Sequence, residues 1–243
     1  MSRFKAVVFD LDDTLFPGRQ YAVSGFRAAG NYLKRIFGVD LHADLIQAYE
    51  AGHGDGSVEY VLRRRFKDVE PLLLNRLEGI VRCHMPVLEL YPDARTALAL
   101  LGTHGFMAGI MADGPAHVQR NKISALNLKP LVNSMVMADD LGGREYWKPA
   151  PDPFHILALQ LEIEVHEMVY VGDDPTLDFL GPRRLGMGTI RIRRNDGLHA
   201  RVEALPSEAA PHVTIPALDH LFTALDSMEQ TILSKPEMAQ INP

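Results

Sequence analysis

Two acidic clusters, each following a short apolar run, hold the residues of this 243-residue chain whose types and spacing could do chemistry. Asp10-Leu11-Asp12-Asp13-Thr14 follows the run Phe4 to Phe9, and Gly172-Asp173-Asp174, with Asp178 close behind, follows Met168 to Val171. Asp10 and Asp12, separated by one residue, can flank a single substrate, one carboxylate attacking phosphorus and the other handing a proton to the leaving oxygen. The plainer alternative is an acidic turn or a helix cap. The second cluster offers hard oxygen ligands of the kind Mg²⁺ takes, with water and a phosphate oxygen completing an octahedron; its plainer alternative is a loop with capping aspartates. The two clusters support each other. A carboxylate can approach an anionic phosphate only if a metal and a cation offset the repulsion, and Lys148, in Trp147-Lys148-Pro149, is the candidate cation.

These side chains need strands and turns to aim them. Residues 4 to 9, 106 to 111, 134 to 137, 168 to 171 and 189 to 192 read as short buried strands, while apolar residues recur with helical spacing near 115 to 126, 153 to 161 and 176 to 185. Alternating strands and helices predict an α/β fold with a Rossmann-like, mainly parallel sheet, and in such sheets ligands bind at the carboxyl ends of the strands. From Pro17 to Leu90 the rhythm changes to helical patterns near 21 to 36, 41 to 51, 57 to 66 and 71 to 84, broken at Gly38, Gly52 to Gly56 and Pro71. The expected organisation is therefore a discontinuous core, residues 1–16 and 91–230, an α-helical insert over 17–90, and a loosely ordered tail over 231–243. Asp93 reads as the N-cap of the helix after Tyr91-Pro92, Arg191 to Arg194 as a solvated basic strand end, and 217 to 229 as a last helix.

Composition narrows the partners. A formal net charge of -6 argues against a general grip on nucleic acid, and 47% hydrophobic with 23% charged residues is ordinary for a folded globular chain. The single cysteine, Cys83, permits no internal disulfide, and no secretory leader pattern opens the sequence, so a reducing cytoplasm is the expectation, without a membrane partner. Cys83 reads as a small buried hydrophobe.

The ordered set Asp10-x-Asp12-x-Thr14, Lys148-Pro149 and Gly172-Asp173-Asp174 with Asp178 resembles the haloacid dehalogenase superfamily over roughly residues 4 to 195. Leu90-Tyr91-Pro92 is similar to the return hinge of its subfamily with an α-helical cap. The resemblance implies an Mg²⁺-dependent phosphatase for a small phosphorylated metabolite: Asp10 becomes the aspartyl-phosphate, Asp12 protonates the leaving group and then activates water, and Lys148 steadies both charges. It implies a metal held by Asp10, the Asp12 carbonyl and Asp173, with Asp178 and Asp174 helping directly or through water, while Thr14 orders the loop. Arg19, Tyr21, His53 and Arg63 to Arg65 are candidates to reach the substrate from the insert, or else lie on solvated faces.

One motif departs. Where the family carries a Ser or Thr at the end of its second strand, this chain has Ala112, followed by Asp113 and Gly114 as the remaining phosphate cradle. A lost hydrogen bond to a charged group costs about 1.5–3 kcal/mol, roughly ten- to a hundred-fold in rate if it falls on the transition state. Two carboxylates ~5 Å apart repel by roughly 3 kcal/mol at an effective dielectric of ~20, so Asp113 needs compensation or serves as a helix cap. The departure keeps open an alternative: a catalytically weak relative that binds a phosphorylated ligand or a partner.

Overall fold

The computed structural model describes residues 3–203 and 207–233, and the chain divides into two compact units. The first, Met1–Pro17, Leu90–Ala116 and Asn127–Pro243, holds a six-stranded sheet. Its strands are β1 (Ala6–Phe9), β2 (Met107–Ala112), β3 (Ser134–Met137), β4 (Met168–Gly172), β5 (Gly188–Ile192) and β6 (Val213–Ile215). They lie in the order β3-β2-β1-β4-β5-β6, and neighbours pair in parallel. Strands 1, 4 and 5 are buried at every position, so β1 and β4 read as continuous apolar runs without alternation, while β5 buries Thr189 and Arg191 among its apolar residues. The chain winds outward from β1 to β3 on one side and from β4 to β6 on the other. The crevice for a ligand therefore opens at the carboxyl ends of β1 and β4, where the winding reverses.

Helices α5 (Pro92–Leu101), α7 (Asp152–Leu161), α8 (Leu180–Arg184) and α9 (Leu221–Leu233) belong to this unit. On one face Val8, Met111, Val136, Phe154, Leu157 and Tyr170 form a contiguous core. The Phe154 and Tyr170 rings meet edge to face at 5.3 Å, a preferred aromatic geometry, so Phe154 fixes the tilt of a tyrosine whose hydroxyl matters below. Tyr91 N–H donates to Leu15 O (2.9 Å), joining the two chain segments that border residues 18–89.

The second unit, Gly18–Glu89 with His117–Leu126, is helical. It contains α1 (Gly18–Phe37), α2 (His42–Ala48), α3 (Ser57–Arg65) and α4 (Pro71–Cys83), together with all of α6 (Ala116–Ala125) except its first residue. Its own core gathers Phe26, Leu33, Leu41, Leu45, Val61, Leu62 and Leu77, each buried aliphatic side chain contributing about 1.5–3 kcal/mol. α1 and α4 come close enough that a Cβ on Gly25 would stand 2.8 Å from Val81 O. The segment near 115 to 126, expected with the sheet, thus groups by its contacts with the helices: Cys83 Sγ lies 3.3 Å from His117 Nε2, and Asn121 Nδ2 donates to His84 O.

Several sequence expectations need correction. Cys83 is exposed. Within residues 176 to 185 helix is confined to Leu180–Arg184 and residues 176 to 179 are turn, because Asp174 accepts from both Thr176 N–H and Thr176 Oγ1–H and so closes a tight local turn. The last helix starts at Leu221 and runs to Leu233, so residues 231–233 are helical where a loose tail was expected; the rest of that tail lies outside the described residues. Asp93 sits inside α5, with Tyr91 at the cap position; its Oδ1 accepts from Ala94 N–H and its Oδ2 from Arg194 and Leu218 N–H. Among the described residues no helix is long and apolar enough to cross a membrane.

Candidate active site

Asp10 directly follows β1, and its N–H donates to Val171 O (2.9 Å), extending the β1–β4 pairing by one step. The chain then turns sharply: Leu15 N–H closes on Leu11 O, and Asp13 takes a left-handed φ of 51°. Asp13 Oδ2 accepts from Leu198 N–H. Thr14 is fully buried, and Arg194 donates to its carbonyl oxygen (2.9 Å). Asp12 is half-buried. Asp173 and Asp178 stand at the end of β4, on the strand next to β1.

Lys148 joins the two clusters. Its Nζ lies 2.8 Å from Asp10 Oδ1, 2.7 Å from Asp178 Oδ1 and 3.9 Å from Asp113 Oδ2, with only 6% of the side chain exposed. Burial alone would lower the lysine's pKa, but the Asp10 and Asp178 carboxylates outweigh it and hold the ammonium charged. Burial pushes the Asp178 carboxyl upward against the pull of Lys148. We take the pair as ionised, because Asp178 also accepts the Asp174 N–H (2.8 Å) through its other oxygen. Such a carboxylate must lie flat on the backbone. A Cβ on Gly172 would come within 2.2 Å of Asp178 Oδ2, so only glycine fits there.

Tyr170 and His199 join the site without any sequence signal that would have singled them out. Tyr170 is fully buried on β4; its hydroxyl accepts from Lys148 Nζ (3.1 Å) and faces Asp10 Oδ1 (3.5 Å) and Met111 O (3.4 Å). Burial drives its pKa well up, keeping the phenol protonated. His199 Nδ1 lies 3.0 Å from Asp173 Oδ2 and its Nε2 3.6 Å from Asp174 Oδ2. Burial pushes the Asp173 carboxyl up to about 6, offset in part by His199 and reinforced by Asp10.

Ala112 ends β2, is 1% exposed and carries no hydroxyl. The N–H of Ala116, at the start of α6, is taken by Asp139 Oδ2 (3.0 Å), and Pro115 has no N–H. One N–H of the helix start is therefore already taken, and Gly114 just before it turns at φ 98°. Asp113 Oδ2 accepts the Lys148 N–H (3.0 Å). Burial raises its pKa, while the Lys148 ammonium and N–H lower it and Asp10 raises it further. The repulsion expected between Asp113 and Asp10 is thus met by a cation they share.

A family model described as haloacid dehalogenase-like hydrolase matches residues 4–186. The chain belongs to the haloacid dehalogenase-like hydrolases. Within this hydrolase family, it is 32% identical over 205 residues to the glyceraldehyde 3-phosphate phosphatase of Methanopyrus kandleri, covering 78% of this chain and 84% of the relative. It is 28% identical to the enzyme of the same name from Pyrococcus furiosus, covering 93% and 95%. The solved structure of the haloacid dehalogenase-like hydrolase YfnB from Bacillus subtilis, bound to magnesium, superposes with a TM-score of 0.63 at 18% identity, covering 93% of this chain and all of that one. This hydrolase is accordingly a phosphatase, a hydrolase of phosphoric monoesters.

Proposed function

We propose that the chain hydrolyses its phosphoric monoester by nucleophilic attack of Asp10, with Mg²⁺ as cofactor. The observation that carries this reading is the buried Lys148 ammonium held between Asp10 and Asp178, which neutralises the nucleophile's surroundings without protonating it. Asp10 forms a bond to phosphorus as the ester oxygen departs, and Asp12 gives that oxygen its proton. Asp12, now a carboxylate, takes a proton from water, and the resulting hydroxide releases phosphate from Asp10. Lys148 offsets the charge gathering on the phosphoryl oxygens.

The donor set suits Mg²⁺. Asp10 and Asp173 are near enough that the charge on Asp10 raises the Asp173 pKa, and the Asp12 carbonyl completes a set of hard oxygens. Mg²⁺ is commonly held by one or two carboxylates, with water and phosphate oxygens filling its other positions. Asp178 accepts from Lys148 and from Asp174 N–H through its two oxygens, so it would support the metal through Lys148, directly or through water. When bound, Mg²⁺ supplies positive charge against the phosphate oxygens. The magnesium-bound YfnB structure and the phosphatases from Methanopyrus and Pyrococcus support the reading, and the latter make a three-carbon phosphorylated aldehyde the first substrate to try. We propose the helical unit as the cap that sets specificity.

The test is phosphate release from a panel of phosphorylated metabolites with Mg²⁺. Turnover is expected in wild type and lost in Asp10→Asn; turnover that survives Asp10→Asn refutes the nucleophile. Ala112 alone favours the second reading, a weak enzyme that mainly binds a phosphorylated ligand. If the missing hydroxyl limits the rate, Ala112→Ser gains roughly ten- to a hundred-fold on every substrate; no gain identifies a cradle adapted to its own ligand.

A further inference from the structure

We propose that His199 is a positioning residue for Asp173, holding that carboxylate in its metal-binding orientation; this rests on the Mg²⁺ reading above. Of the arginines expected from sequence as a solvated basic patch, Arg191 and Arg193 instead hold the loop that carries His199, while Arg194 pairs with Asp93 and the Thr14 carbonyl. Arg191 is 2% exposed and donates through one nitrogen to His199 O (2.8 Å) and Val202 O (2.7 Å). Arg193 donates to Ala200 O (2.7 Å) and pairs with Glu203 (2.8 Å). Leu198 N–H is held by Asp13, and Val202 N–H closes on His199 O.

The backbone of residue 199 and of both its neighbours is therefore pinned, and its imidazole projects onto Asp173. Ordering a loop costs about 1–2 kcal/mol per residue in backbone entropy, and the buried Arg191 together with Arg193 supplies the compensating contacts. An ionised carboxylate only accepts hydrogen bonds, so the ring nitrogen 3.0 Å from Asp173 Oδ2 carries the proton. One oxygen of Asp173 is thereby tied to the loop and the carboxylate's rotation fixed. Hydrogen bonds to metal-ligating groups of this kind alter metal affinity by roughly 10- to 100-fold when removed.

The test is titration calorimetry of the full chain with Mg²⁺ alone, for wild type, His199→Ala and His199→Asn, alongside thermal unfolding without metal. Asn keeps a donor on a short side chain. The expected result is an Mg²⁺ affinity about 10- to 100-fold weaker in His199→Ala, partly restored in His199→Asn, with unfolding of the metal-free proteins little changed. Equal affinity in wild type and His199→Ala overturns the inference and leaves the metal reading standing; equal loss in Ala and Asn overturns it in favour of a loop-packing role. A wild type that binds no Mg²⁺ overturns the metal reading itself, and the inference with it.

Discussion

Replacing Lys148 by Met removes the site's central cation while keeping most of the side-chain volume. Contacts at 2.7 and 2.8 Å to Asp178 and Asp10 are each worth roughly 6 kcal/mol of bare attraction at an effective dielectric of ~20. Desolvation of the three ions cancels most of it. Deleting only the cation gives up the attraction and leaves the carboxylates buried, 1% of the side chain exposed for Asp178 and 14% for Asp10; such one-sided breaks cost about 3–5 kcal/mol. The loss depends on pH. Burial already raises the Asp178 carboxyl above its ordinary 3.8, and without Lys148 pulling it down it rises further. The folded variant then holds a proton that the unfolded chain releases in the window above 3.8, so its stability falls as pH rises through that window and recovers on acidification. Urea unfolding followed by the fluorescence of Trp147, the chain's single tryptophan, reports on this unit. Lys148→Met should be about 3–5 kcal/mol less stable than wild type near pH 8, and should regain at least half of that near pH 5, roughly the worth of one protonated carboxyl. A deficit equal at both pH values, or below about 1 kcal/mol near pH 8, would refute the ion-pair argument.

Gly172→Ala places a Cβ 2.2 Å from Asp178 Oδ2; it should displace Asp178 from Lys148, cost about 1–3 kcal/mol in denaturant unfolding, and sharply lower kcat. Unchanged kinetics would show that Asp178 does not support the nucleophile through Lys148. Tyr170→Phe deletes a buried hydroxyl that accepts from the lysine; a stability loss of about 1–3 kcal/mol with a fall in kcat larger than the change in KM is expected, and a pure KM effect would contradict it.

Much of the sheet was legible because β1 and β4 are buried on both faces and so read as unbroken apolar runs. β6 escaped notice: it has three residues, and Thr214 is exposed while Val213 is half-buried, leaving too little apolar signal. In the site, Asp10, Lys148 and Asp178 are brought together, as the two acidic clusters implied. The arginines in and just after β5 depart from expectation because charge in a sequence reads as solvent exposure, whereas Arg191 and Arg194 are buried, the first against loop carbonyls and the second against Asp93. Tyr170 and His199 carry no local signal: one looks like strand filler and the other like a loop residue, and only tertiary packing brings them to the carboxylates.

The most direct measurement is to mix Asp12→Asn with an aryl phosphate and Mg²⁺, quench in acid within the first turnover, and locate the phosphate by peptide mass. An aryl leaving group departs without much proton assistance, so the first step proceeds while the Asn, unable to take a proton from water, stalls the second. Phosphate on the peptide holding Asp10, and its absence when Asp10→Asn is added, is the expected result. Phosphate on another residue, or rapid release of aryl alcohol with no protein-bound phosphate at any time, would contradict covalent catalysis by Asp10.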